Sequence, residues 1–526
     1  MSARAPEAAL ALRYARALLL AALGLYALAG LRVLGDYGPN PDSGKNWDEG
    51  RANLDFLATG EVDARVVRRQ THGALFMMAA ELSRRTLEER LGLLDAVAAR
   101  HVILIPLNLA FALALFRFVR LRSDPWTGLV AALGVLTYPK YFGFSFNNLK
   151  DVPLVIFFSL AMMAWADRSA ARGLGSRLSF FGFWGLALCS KLYALLVPLL
   201  LLVWTASRGG GDAAAEHPKG RRWAELAAGL ALTGALVAAL YAPAWWALPD
   251  KAQAGTDWLR EVSAIALRPE RGWSAWSFRH LVLRAPAAWL ACAAVGLACV
   301  VRDYRRDPLS IAAPWLLVPL ILPCLPGLYG YADSFRLLLI HCVPLSILAA
   351  RGGGVVAGAL ATRLPAARAL VGLLLLLPNL RAIVSTHPYQ TTFFNALAGG
   401  LGGAQAAGLA SSGDTWLSSH REVGRWLDAN AAKDAEVWEV DQFPWQRGLL
   451  RRFGVRRPDV RVVHYDARSA AESPIEANTY VVVVAYRRDL APVTRRLEKL
   501  TASGELRRAL EIKRQGGKIA TVYHRR

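Results

Sequence analysis

Apolar runs long enough to cross a bilayer recur through most of this chain, at positions 17–34, 100–119, 128–146, 152–166, 224–246, 285–301, 308–325, 336–350 and 366–383. Most are near the roughly 18 residues with which a helix spans hydrocarbon while satisfying its own backbone hydrogen bonds. With 54% of residues hydrophobic, 19% charged and a mean hydropathy of +0.28, the chain has too little polar surface to coat a water-soluble body of this size. The pattern predicts a polytopic α-helical membrane protein and excludes a disordered, collagenous or disulfide-scaffold chain. The first run follows Arg13 and Arg16 and contains Ala-x-Ala at Ala27 to Ala29, as a signal peptide would. Its length exceeds a usual signal core and predicts an uncleaved first helix instead.

Charge supplies the topology. The 62 Lys and Arg against 40 Asp and Glu give a net charge of +22. Many arginines sit in short loops: Arg4, Arg13 and Arg16; Arg117, Arg120 and Arg122; Arg168, Arg172 and Arg177; Arg221 and Arg222; Arg302, Arg305 and Arg306; Arg363 and Arg368. Taken as cytoplasmic, these loops leave the stretch 178–205 with basic flanks on both sides, so it must cross an even number of times. Lys191 lies in its middle, and a lysine at mid-bilayer costs about 2.5–3.5 kcal/mol. It is therefore placed at the apex of two short helices, facing the far side. About eleven spans result, with the N-terminus inside and the tail outside.

Residues 1–386 form the expected membrane domain, with outer loops 36–99 and 247–284 edged by Trp245, Trp246, Trp258, Trp273, Trp276, Tyr329 and Tyr331. Residues 387–526 form an extracytoplasmic segment with a small α/β domain from about residue 415. There the pattern predicts a helix at 418–430, strands at 435–440, 460–465 and 480–485, a helix at 491–503, and a hairpin of 506–513 with 518–523 turning at Gly516-Gly517. Basic residues of the tail alternate with acids and carry no aromatic interleaving, which argues against nucleic acid as a partner. Cys189, Cys292, Cys299, Cys324 and Cys342 lie in or beside apolar runs and read as small core residues.

The first outer loop, DYGPNPDSGKNWDEGRANLDFLATGE, places Asp36, Asp42, Asp48 and Glu49 close to a membrane exit. Loop acids are usually only solvated, but a carboxylate there can act as base on a hydroxyl held at the interface. The third run ends in FGFSFNNLKDVPL, where Asn147, Asn148, Lys150 and Asp151 gather at the same side just before Pro153. Capping and snorkelling explain these residues locally. Their density at one depth suggests contact with a substrate. Lys150, Lys191 and Arg336 are candidates for binding a lipid phosphate, the arginine through two hydrogen bonds and the lysines as point charges. Arg279 with His280 is either a headgroup anchor, favoured for the arginine, or a further substrate contact. His341, inside a run with no spaced partner, reads as a core histidine. No cofactor is indicated; a divalent metal is compatible with the acids, but no ligand spacing points to one.

DYGPNPD, FNNLKDVPL, SFRLLLIHCVPL, HPYQTTFFNALAGG and DTWLSSHREVGRWL, in this order, resemble motifs of bacterial membrane glycosyltransferases of the GT-C superfamily, related to protein O-mannosyltransferases and aminoarabinose transferases. The resemblance spans nearly the whole chain. It implies transfer of a sugar from a polyprenyl-phosphate donor to a lipid, glycan or protein acceptor, with inversion, at the outer face of a bacterial inner membrane. It further implies an Asp-Glu pair in the first outer loop and Asp151 as a supporting acid. Here the sequence departs from the pattern: the expected position holds Asp42-Ser43, and the literal Asp-Glu is Asp48-Glu49, six residues on. Either Asp42 is the base without its glutamate, or Asp48-Glu49 serves in a shifted loop. Two other classes compete: a transporter or flippase for a lipid-linked or anionic substrate, which the long acidic loop and folded tail disfavour, and a catalytically degenerate envelope-assembly protein.

Overall fold

The computed structural model describes residues 4–167, 174–208, 219–328, 335–361, 367–441, 448–484 and 490–526. Tyr329, Tyr331, Arg168, Arg172 and Arg363, named above, lie outside these residues, as does position 485 of the expected strand. The chain is a mostly helical, multi-pass membrane protein. Among the described residues, five helices are long and apolar enough to cross a membrane: Ala9–Asp36, Ala96–Arg122, Trp223–Leu240, Leu338–Ala361 and Ala367–Thr386. Trp276–Arg284 and Ala287–Arg302, bent by 118° across Ala285 and Pro286, make a sixth if the pair counts as one span. Pro125–Thr137, Leu178–Leu188, Leu192–Ser207 and Ala312–Cys324 are apolar but shorter. The outer helices leave leucines such as Leu25 and Leu28 bare, as expected of a surface facing acyl chains.

Prolines move several helix ends from where hydropathy puts them. The run 128–146 is not one helix: Pro125–Thr137 stops at Tyr138, which is extended (ψ 117°) as the residue before a proline tends to be, and a short helix Pro139–Phe144 follows. The run 336–350 begins as a 3₁₀ segment, Phe335–His341, and continues as the helix Cys342–Ala361, beyond its expected end. Leu174–Leu188 and Leu196–Ser207 flank a break at Lys191, as its cost in hydrocarbon requires.

The loop 36–99 is folded, not merely exposed. It holds the helix Ser43–Thr59, on which Asn46, Glu49 and Asn53 are buried at helical spacing, and the helix Leu75–Arg84, which packs across it.

In the tail, β1 (Glu436–Asp441), β2 (Arg461–Asp466), β3 (Thr479–Val484), β4 (Arg507–Arg514) and β5 (Gly517–Arg525) form one sheet in the order β2-β1-β3-β5-β4. The first three strands run parallel and the last two pair antiparallel. Both faces are covered: Val423 and Leu427 of Ser419–Asn430 on one, Val493 and Leu497 of Ala491–Ala502 on the other. The hairpin turns at Gln515-Gly516 (φ 48° and 73°), one residue earlier than the glycine pair suggested.

Candidate active site

The site is built where the loop 36–99 meets the start of the helix Asp151–Asp167. Asp42 occupies the N-cap position of Ser43–Thr59 yet makes no capping bond with its side chain. Asn40 ties the loop: its Oδ1 accepts the Asp42 amide (2.9 Å), and its own amide donates to Ser43 Oγ (2.9 Å). Asp42 Oδ2 is thereby left to accept from Lys150 Nζ at 2.8 Å and Arg336 Nη1 at 2.7 Å. Burial pulls the pKa of Asp42 upward, but the charges and hydrogen bonds of Lys150 and Arg336 outweigh it and hold the group well below the usual carboxylate range.

Asn148 organises the next acid. Its Oδ1 accepts the amides of Lys150 (3.1 Å) and Asp151 (2.9 Å), as an N-cap does, while its Nδ2 donates to Asp151 Oδ2 at 2.8 Å. Asp151 Oδ1 accepts from Lys191 Nζ at 2.7 Å. Three of the expected phosphate-binding cations thus stand against two of the expected acids.

Sequence reasoning missed two members of this cluster. Lys45, one turn from Asp42, bonds Thr71 Oγ1 at 3.2 Å and reaches to 3.7 Å from Glu49; its spacing between two acids on one helix face was a readable signal. His72 is held neutral by burial and by the neighbouring charges of Lys150 and Lys191. Gly73 beside it lies so close to the turn before Lys191 that a Cβ would sit 1.8 Å from the Cys189 carbonyl oxygen. No periodicity marks a lone His-Gly, so nothing in the sequence could have found it.

The Asp48-Glu49 pair is split by helix geometry. Glu49 is 1% exposed on the face shared with Asp42 and Lys45, and neither carboxylate oxygen has a hydrogen-bond partner. Burial, moderated by Lys45 and Lys150, pushes its pKa up to about 7. Asp48 lies on the opposite face, half-exposed and 3.4 Å from Arg452 of the tail, lining a cleft of about 580 Å³ with Arg51, Asp55 and Asp63.

Three further candidates make their side-chain contacts away from the clustered charged groups. Asn147 is consumed by the tail, accepting from Trp416 Nε1 (3.0 Å) and donating to Ser418 Oγ (3.2 Å). Arg279 and His280 line a separate crevice with Phe394 and Leu409, where His280 packs edge-on to Trp276. His341 is a core residue, its Nδ1 2.9 Å from the Leu338 carbonyl. Among the described residues no group of three His, Cys, Asp or Glu is placed to hold a metal ion.

The arrangement offers a carboxylate clamped between two cations, a second acid paired to a third cation, and Lys45 beside a carboxyl that is half protonated near neutrality. No family model and no curated protein sequence matches the chain. Among solved structures, ArnT from Cupriavidus metallidurans bound to undecaprenyl phosphate superposes with a TM-score of 0.53 over 96% of this chain and 97% of that one, at 12% identity. The same protein in the apo state gives 0.51 over the same shares, at 13% identity. The chain has the fold of ArnT. The likeness covers almost all of both chains, so it takes in the tail as well as the membrane helices. At 12–13% identity it carries no side-chain role across; those rest on the geometry above.

Proposed function

We propose that this protein is a glycosyltransferase that moves a sugar from a polyprenyl-phosphate donor to an acceptor hydroxyl at the outer face of the bacterial inner membrane. The observation that carries the reading is the Lys150–Asp42–Arg336 clamp, set beside Asp151–Lys191 in a GT-C fold. ArnT, of the same fold, was solved with undecaprenyl phosphate bound. Five long spans, the bent pair, the four shorter apolar helices and Asp151–Asp167 support about eleven crossings. With basic loops inside, an odd number of crossings supports a periplasmic location for the site and the segment 387–526.

The chemistry follows from charge. A carboxylate held far below its ordinary pKa is a weak base at rest. A donor phosphate entering the cluster competes for Lys150 and Arg336, and as they turn to it Asp42 regains basicity next to the acceptor. The acceptor oxygen forms its bond to the anomeric carbon and its proton passes to Asp42. The bond from that carbon to the phosphate oxygen breaks, and polyprenyl phosphate leaves with its added charge facing Lys150, Lys191 and Arg336. Direct displacement inverts the anomeric centre. Asp151 orients Lys191, and Glu49 with Lys45 lines the same face; Asp48, directed away, is not the base.

Purified protein in nanodiscs, given a panel of polyprenyl-phosphate sugars, tests the reading. Acceptor-dependent release of carrier phosphate is expected with at least one donor. Movement of intact lipid-linked sugar between leaflets without any carrier release would replace it with the flippase reading.

A further inference from the structure

Two motifs of the tail, HPYQTTFFNALAGG and DTWLSSHREVGRWL, take no part in this chemistry, yet they grip the loop that carries Asp42. Tyr37 donates to Gln390 Oε1 (2.9 Å), Arg421 donates to the Tyr37 carbonyl (3.0 Å) and pairs with Asp95, and His387 sits 3.0 Å from Asp36. Gly38 lies against the Ser418 carbonyl, where a Cβ would come within 2.6 Å.

At the centre of this contact, neighbouring residues part company. Leu417 packs into the core of the tail, whereas Trp416 packs into the core of the membrane helices. The chain separates them by holding Leu417 at φ 54°, a left-handed conformation unfavourable for a leucine. Asp414 braces the turn, its Oδ2 accepting the Ser419 amide at 2.7 Å.

The result is a tail residue, 4% exposed, that reaches Asp42 by two routes. Its ring lies 5.1 Å from the guanidinium carbon of Arg336, with Phe144 packed edge-on at 5.3 Å to fix the ring plane. Its indole N–H bonds Asn147 Oδ1 at 3.0 Å, and the Asn147 carbonyl accepts from Asn40 Nδ2 at 2.5 Å. Asn40 in turn holds the Asp42 amide at 2.9 Å.

We propose that Trp416 is a positioning residue: its ring backs Arg336 and its N–H fixes Asn147, the hub through which the Asp42 loop is held, so that the tail completes the geometry of the site. The proposal rests on the glycosyltransferase reading for its kinetic consequence and on contacts alone for its structural one. A group displaced by about 1 Å from a reacting centre loses turnover by as much as 10²-fold, whereas donor affinity, spread over several cations, changes little.

The test is Trp416→Ala, Trp416→Phe and Asn147→Ala in nanodiscs, each checked for a wild-type melting midpoint, with turnover and amide exchange of the peptide covering residues 37–45 as readouts. Trp416→Ala is expected to lower kcat roughly tenfold to hundredfold with donor KM changed less than about threefold, and to speed exchange in that peptide but not in the tail sheet. Trp416→Phe, which keeps a ring under Arg336 but loses the bond to Asn147, is expected to fall between. A folded Trp416→Ala with kcat and loop exchange as in wild type, or with only KM altered, overturns the proposal. Should Trp416→Ala not fold, the other two variants decide by the same readouts. Should wild type transfer no sugar, the glycosyltransferase reading falls, and loop exchange in the variants decides the positioning role separately.

Discussion

Asp42 and Glu49 lie on one face of the same helix, and their surroundings drive them in opposite directions. Asp42 is stabilised as an anion by Lys150 and Arg336, while Glu49, without a hydrogen-bond partner, is destabilised as one. Replacing Asp42 by Asn is expected to lower turnover by about 10²–10⁴ with the protein still folded, because the side chain is 21% exposed and the loop is tied by Asn40. A steady-state assay beside a melting curve checks both. For Glu49 the sign is fixed by a folded pKa of about 7 against 4.5. Stability is full below the unfolded value and is lost as pH rises toward and through 7, by about 3 kcal/mol in all. Glu49→Gln is therefore expected to melt higher than wild type at pH 8 and to lose that advantage at pH 4, as scanning fluorimetry across pH would read. The sequence made Asp42 legible through its motif, slightly ahead of its rival Asp48-Glu49. What it did not show was the helix face, which puts Asp48 against Arg452 and Asp42 against Lys150 and Arg336.

Between elements, a buried pair joins the helix start at Asp151 to the break at Lys191. Hydropathy located that break correctly, because a lysine in an apolar run has few places to go. It could not supply the partner 40 residues away. A phosphate contact was expected of Lys191, and at rest Asp151 occupies it. Lys191→Met therefore strands a carboxylate that is 2% exposed, and about 3–5 kcal/mol of stability is expected to be lost. Adding Asp151→Asn should restore much of it; equal melting midpoints for Lys191→Met and wild type would show the pair to be unimportant. The prolines limited legibility in the same way: the run 128–146 looked continuous, but Pro139 ends the helix at Tyr138 and turns the chain toward Asn147. A hydropathy average has no term for that.

At the scale of the molecule, alternating basic loops and apolar runs declared the membrane architecture from sequence, and short β-prone runs with a Gly-Gly turn declared the tail strands. The docking of tail on outer loop was not legible, since Tyr37–Gln390 and Asn147–Trp416 join residues hundreds of positions apart. If the tail lies outside, alkaline phosphatase fused after Gly413 is active and a fusion at Gly210 is not; the opposite pattern would put Asp42, Lys150 and Arg336 on the wrong side for a periplasmic acceptor. The claim that joins these scales is that the Asp42 clamp transfers sugar from a lipid phosphate, and carrier release is its most direct measure. Wild type and Asp42→Asn, purified into nanodiscs with a polyprenyl-phosphate sugar and acceptor, should differ: wild type releases polyprenyl phosphate in step with glycosylated acceptor, and the variant, equally folded, releases almost none. Equal release from both would contradict the account.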